Sequence, residues 1–274
     1  MNTLRLARLR APFLASVLLA FAGPAASQEL DPRAYTPVPT GGNVLISAFT
    51  YQSGDVLLDP SVPISDLSAK LSIGTLGYAR TFSFLGRYAN ASFGLPGAHL
   101  YAEGNVFEER RETTRTGLGD ARLKLAVNLL GAPALAPPDF MKRKPRTVLG
   151  ASLTVSMPTG EYYADKLVNL GANRWALKPE IGVSHPTGRW LIDAYAGIWF
   201  FTDNDEFFGG VTRKQDPLFT FQAHVSYTIK PSLWVAFDAT FYSGGRTTVG
   251  DTVKEDFQEN SRVGLTASYP VARG

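Results

Sequence analysis

The chain has 274 residues, with 26 glycines, 18 prolines, no cysteine, and 27 Lys and Arg against 24 Asp and Glu. Without cysteine there are no disulfides, no thiol chemistry and no cysteine-ligated metal. Three of the cations, Arg5, Arg8 and Arg10, precede the first acidic residue, Glu29, and beyond them the charges balance. A nucleic-acid partner is therefore excluded, because holding a polyanion needs surplus cations on the working chain.

Residues 1–27 read as a signal peptide. The arginines lead into an apolar core from Phe13 to Ala22, and small residues Ala25 and Ser27 stand before Gln28. Such a core is far short of the roughly 20 apolar residues that span a bilayer, so export is expected instead of a helical anchor. Residues 28–42, with Pro32, Pro37 and Pro39, read as a periplasmic N-terminal linker ending at Thr40-Gly41-Gly42.

From Asn43 onward the recurring pattern is alternation with period two, the mark of strands with one apolar and one polar face. Ten blocks carry it. In chain order they are Val44 to Tyr51, Leu67 to Phe82, Tyr88 to Leu95, Ala121 to Leu129, Leu149 to Met157, Asn173 to Ser184, Trp190 to Phe200, Leu218 to Ile229, Leu233 to Tyr242 and Arg262 to Tyr269. The clearest, Leu218 to Ile229, sets Phe219, Phe221, Ala223, Val225, Tyr227 and Ile229 against Thr220, Gln222, His224, Ser226 and Thr228. Pro179 weakens the sixth block, since proline donates nothing to a ladder.

The connections alternate in length. Short turns are expected at Phe84 to Arg87, Pro186 to Gly188 and Lys230 to Ser232, and long links at Pro96 to Thr116, Pro158 to Ala172, Thr202 to Asp216 and Gly244 to Gln258. Only Gly131 to Arg146, long and proline-rich, breaks the series. Tight turns at one end and large loops at the other are the anatomy of an outer-membrane barrel. The fold class is therefore all-β, an antiparallel up-and-down transmembrane β-barrel over residues 43–274. A secreted or periplasmic sandwich is the competing reading, because both bury one strand face.

On the barrel reading the polar faces line a lumen. Its candidate residues are Arg122, Lys124, Arg174, Lys178, Glu180, Asp193, His224, Asp238 and Arg262, with Tyr195 and Trp234 as surfaces on which an apolar solute can stack. No catalytic residue is assigned. His224 and Ser226, two apart on one face, lie about 7 Å apart along a strand, where a nucleophile and its base need about 3 Å. His99 reads as part of a long loop, and no two histidines share a strand face or helical turn. Asp203-Asn204-Asp205-Glu206 lacks a calcium-loop spacing and reads as solvated loop. No metal or cofactor is expected.

Several segments resemble one known family, the outer-membrane transporters named for the MetA-pathway of phenol degradation. They are Arg33 to Asn43, Pro158-Thr159-Gly160-Glu161-Tyr162, Val168 to Trp175, Phe201 to Asp205, Gln215-Asp216-Pro217 and Gly244 to Thr248, with Asn-Leu-Gly-x-Asn-Arg-Trp the most specific. The resemblance implies an outer-membrane barrel that passes small, aromatic or hydrophobic compounds, has lipid, lipopolysaccharide and the barrel-assembly machinery as partners, and is no enzyme. It also implies twelve strands, so that a chain finishing at Val271-Ala272-Arg273-Gly274 would lack a final hairpin. The alternatives are a closed structural or adhesive barrel and an outer-membrane lipid-modifying enzyme.

Overall fold

The computed structural model describes residues 16–20, 30–55, 64–106, 109–166, 168–230 and 232–270, with residues 16–20, 54–55, 64–67 and 106 described by backbone alone. Strand β1 (Ser16–Ala20) is followed by β2 (Asn43–Asp55), β3 (Ile64–Phe84), β4 (Arg87–Val106), β5 (Glu109–Leu118) and β6 (Arg122–Leu130). A one-turn helix α1 (Pro137–Phe140) leads to β7 (Val148–Ser156), β8 (Ala176–Thr187), β9 (Trp190–Phe201), β10 (Asn204–Phe207) and β11 (Val211–Gln215). The chain continues with β12 (Leu218–Lys230), β13 (Leu233–Gly244), β14 (Thr247–Val249), β15 (Thr252–Val253) and β16 (Gln258–Pro270).

The ten expected strands are β2, β3, β4, β6, β7, β8, β9, β12, β13 and β16, and they pair in that order as one antiparallel meander. The sheet curls into a half-barrel. Its ends are β2 and β1, which lies along β16 from Ser16↔Pro270 to Ala20↔Thr266; no ladder joins β1 to β2. Of the expected leader, only this strand lies among the described residues, and the cleavage position lies outside them.

The alternation sets which face is which. Along β12, Leu218, Thr220, Gln222, His224 and Ser226 are buried and point inward, while Phe219, Phe221 and Val225 are exposed outward. Strands β8, β9 and β13 repeat the arrangement, with Ile181, Val183, Ile192, Val235, Phe237 and Phe241 outward. The molecule is therefore apolar outside and polar inside, the reverse of a water-soluble sandwich. Pro179 points outward on β8, and the ladder to β9 is interrupted there, skipping from Leu177↔Phe200 to Glu180↔Gly197.

At one end the strands turn tightly. Leu85 and Gly86 both adopt positive φ, +50° and +76°, the two-residue geometry whose twist suits a hairpin. The other end differs from expectation. The segment Pro96 to Thr116 is not a loop: β4 runs on to Val106 and β5 returns along it, pairing Val106↔Glu109 through Gly97↔Leu118, so that His99 sits in a strand with Nδ1 2.6 Å from Thr116 Oγ1. Polar cross-strand contacts hold this extension, among them Arg110 to Glu103 at 2.8 Å and the Tyr101 hydroxyl donating to Glu112 at 2.8 Å. Without an apolar stripe it leaves no hydrophobic signal. The links Thr202 to Asp216 and Gly244 to Gln258 likewise carry β10, β11, β14 and β15, a small sheet at the long-loop end.

Candidate functional site

Cross-strand register builds the inner wall. Ser184, Asp193, His224 and Asp238 occupy one level on four adjacent strands. The Ser184 hydroxyl donates to Asp193 at 2.5 Å, His224 Nδ1 lies 2.7 Å from Asp238 Oδ1, and the Thr266 hydroxyl donates to the other Asp238 oxygen at 2.6 Å. Nearer the long-loop end, Lys178 donates to Glu180 at 2.9 Å with both side chains almost fully buried. An ion pair so placed is held by its neighbours' hydrogen bonds, since desolvation consumes much of the Coulomb attraction.

Asp238 supplies the orienting group for His224 that sequence spacing does not indicate. The hydrolase geometry is nonetheless incomplete, because His224 Nε2 and Ser226 Oγ are both buried without a hydrogen-bond partner.

The segment read as a linker fills the space these residues enclose. Residues 30–42 pack against the inner wall, and Tyr35 is the segment's most buried side chain. Its ring lies edge-on to Tyr195, centroids 5.1 Å apart, and its hydroxyl donates to Glu180 at 3.0 Å and lies 3.1 Å from Ser152 Oγ. Burial and the Glu180 carboxylate push this phenol well above its usual range, so it stays protonated and a donor. Gly150 and Gly182, partners across β7 and β8, form the niche: a Cβ on either would overlap the Tyr35 ring.

Further contacts fix the segment. Arg33 adopts φ +66°, a conformation that is costly for a side-chain-bearing residue and closes a turn in which the Ala34 amide bonds Asp31 O. The Arg33 amide donates to Asp193 at 3.2 Å, its guanidinium donates to Thr228 at 2.7 Å, and the same group lies 4.4 Å from the Trp234 ring centre. The Ala34 amide donates to the Tyr195 hydroxyl at 3.1 Å, and Asn128 donates to Tyr35 O at 3.0 Å. Lys124 pairs with Asp31 at 3.1 Å and holds that carboxyl below its ordinary value. Toward the tight-turn end, Thr40 and Gly41 donate to Leu135 O and Thr81 O, both at 2.9 Å.

The two rings read as stacking surfaces for a solute, Tyr195 and Trp234, are thus covered by this segment. Arg122, Arg174 and Arg262 instead line an open vestibule of about 650 Å³ on the long-loop side. Arg174 lies just before β8, not within it. The vestibule's rim gathers the quoted motifs. Asp120, in the break between β5 and β6, accepts the Gly160 amide at 2.9 Å and the Ala172 amide at 2.8 Å, so Pro-Thr-Gly-Glu and Asn-Leu-Gly-x-Asn-Arg-Trp meet on one carboxylate. Gly160 and Gly171 pack so closely that a Cβ on Gly160 would lie 2.7 Å from the Gly171 Cα. Gln215 donates to Gly245 O at 2.9 Å and the Asp216 amide to Arg246 O at 2.9 Å, joining two more. Among the described residues no group of three His, Asp or Glu side chains is arranged to hold a metal.

The match that decides the family covers residues 39–274 with the family described as "Putative MetA-pathway of phenol degradation". The chain belongs to this family. The MetA-pathway fold is shared with the crystal structure of the COG4313 outer membrane channel from Pseudomonas putida F1, at a TM-score of 0.71 and 23% identity over 87% of this chain and 86% of that one. No curated protein matches the chain. In this MetA-pathway chain the inner-segment residues Asp31, Arg33 and Tyr35 escape periodicity-based reading, and their one sequence signal is that Arg33 and Tyr35 fall within a family-like segment.

Proposed function

We propose that this protein is a passive channel of the bacterial outer membrane, exported by its leader, whose residues 30–42 form a plug inside the lumen. The observation that carries the reading is the pairing of an apolar outward belt with a polar inner wall that holds a segment of the same chain through hydrogen bonds, an ion pair and ring contacts. Short turns face the periplasm in such barrels, so the plug enters from that side and the vestibule opens outward. Solute is taken to be small and aromatic or hydrophobic, and it passes when the plug shifts. Lumen side chains Lys124, Glu180, Asp193, Tyr195 and Trp234 then change partners from the plug to water or solute, with Lys178, His224 and Asp238 forming the wall behind.

The belt's partners are lipid and, on the outer leaflet, lipopolysaccharide; the barrel-assembly machinery inserts the chain. Two tests suffice for the core of the reading. Full-length protein should be recovered with outer membranes as a heat-modifiable band, and it should give unit currents in planar bilayers. Recovery in the soluble periplasmic fraction would reject the location, and a folded protein without current or solute flux would reject the channel. The depth of the plug favours one second reading, a permanently closed structural barrel with binding loops, and the same absence of flux would select it.

A further inference from the structure

We propose that the outward vestibule is a binding site for aromatic carboxylates, a substrate class more specific than, and resting on, the channel reading. The walls of the cavity are of two kinds. One is aromatic: Trp199 and Phe201 stack at 6.4 Å with a 17° interplanar angle, and Trp199 is buried with Ala176, Leu218 and Tyr242. The other is cationic, with Arg122, Arg174 and Arg262 against a single lining carboxylate, Asp120. Both Asp120 oxygens already accept backbone amides, of Gly160 and Ala172, so Asp120 is committed to holding the loop.

Arg174 is the group placed to take the ligand's carboxylate. Its guanidinium lies 4.5 Å from the Phe201 ring centre and one terminal nitrogen donates to Gln215, while the other, Nη1, is buried with no hydrogen-bond partner. Burial and the nearby Arg213 push this guanidinium down to about 10, which still leaves it charged at neutral pH. Arg122, which lines the same cavity, has no hydrogen bond or ion pair among the described residues. A planar guanidinium recognises a carboxylate through parallel N–H donors, and an adjoining aromatic wall accepts the ring of the same molecule. A neutral phenol offers the ring without the charge, and a benzyl ammonium offers the wrong charge.

The test uses full-length protein in detergent, titrated with benzoate, benzyl alcohol and benzylamine and followed by tryptophan fluorescence and calorimetry. Benzoate should bind saturably and at least tenfold more tightly than benzyl alcohol, with benzylamine weakest. Arg174→Gln and Arg122→Gln should each weaken benzoate at least fivefold and leave benzyl alcohol within twofold, and Arg174→Lys should restore part of the loss. If Arg174→Gln loses its heat-modifiable shift, Arg122→Gln carries the test. Equal affinity for benzoate and benzyl alcohol, no binding of any probe, or benzoate binding unchanged in the folded variants would overturn the site. Unit currents are measured separately, so benzoate binding without current rejects the channel and leaves the site, and current without benzoate preference does the reverse.

Discussion

The ring of Tyr35 rests where a side chain on Gly182 would otherwise stand. Gly150, its partner across the strand pair, leaves the other half of the niche. The plug is thus keyed to the wall by shape at one ring and by polar contacts around it.

Replacing Gly182 with alanine should drive the ring out. Burial of an aromatic side chain stabilises by about 1.5–3 kcal/mol, and the two hydroxyl contacts add roughly 1 kcal/mol each. Gly182→Ala and Tyr35→Ala are both expected to raise single-channel open time while leaving the barrel's heat-modifiable shift in place. Open times equal to those of the unaltered protein in both variants would show that Tyr35 is not the key.

Lys178 and Glu180 should behave as a buried pair. Lys178→Met leaves the Glu180 carboxylate its hydrogen bonds from Tyr35 and Gln222 but removes its adjacent buried cation. A loss of about 3–5 kcal/mol in unfolding free energy is expected, from the cost of leaving one buried charge unpaired. Adding Glu180→Gln to that variant should recover part of it, and urea unfolding of the two variants in detergent measures the difference.

Acid should loosen the plug over a narrow range. Lys124 lowers the Asp31 carboxyl pKa, so the pair's contribution is complete above the ordinary carboxylate value of about 4 and is lost as pH falls through the lowered folded value. Asp31 is 59% exposed, so solvent screens the pair and the effect is modest. Open time is expected to be level from pH 8 to pH 5 and to rise only below about pH 4, and Asp31→Asn should show the acid behaviour throughout. A rise centred near pH 6 would assign the control to a group other than Asp31.

The wall was legible because its physics is local: one apolar face, one polar face, and turns at intervals. The β4–β5 extension was not, since Glu109–Leu118 is polar on both faces and is held by a cross-strand ion pair and hydrogen bond whose partners become neighbours only once the chain has turned back after β4. The lumen-facing residues followed from parity along each strand. Their partners did not, because His224 meets Asp193 and Asp238 only through the register of three strands. The plug was least legible of all. A single tyrosine among prolines has no period, and its niche is made by glycines whose role shows only once β7 and β8 pair.

The most direct measurement compares unit currents of the full-length barrel with those of a variant lacking residues 30–42, both verified as folded by heat-modifiable mobility. Brief or small openings in the first and a larger, steady conductance in the second are the expected result. Identical currents in the two, or none in either, would contradict a channel closed by its own N-terminal segment.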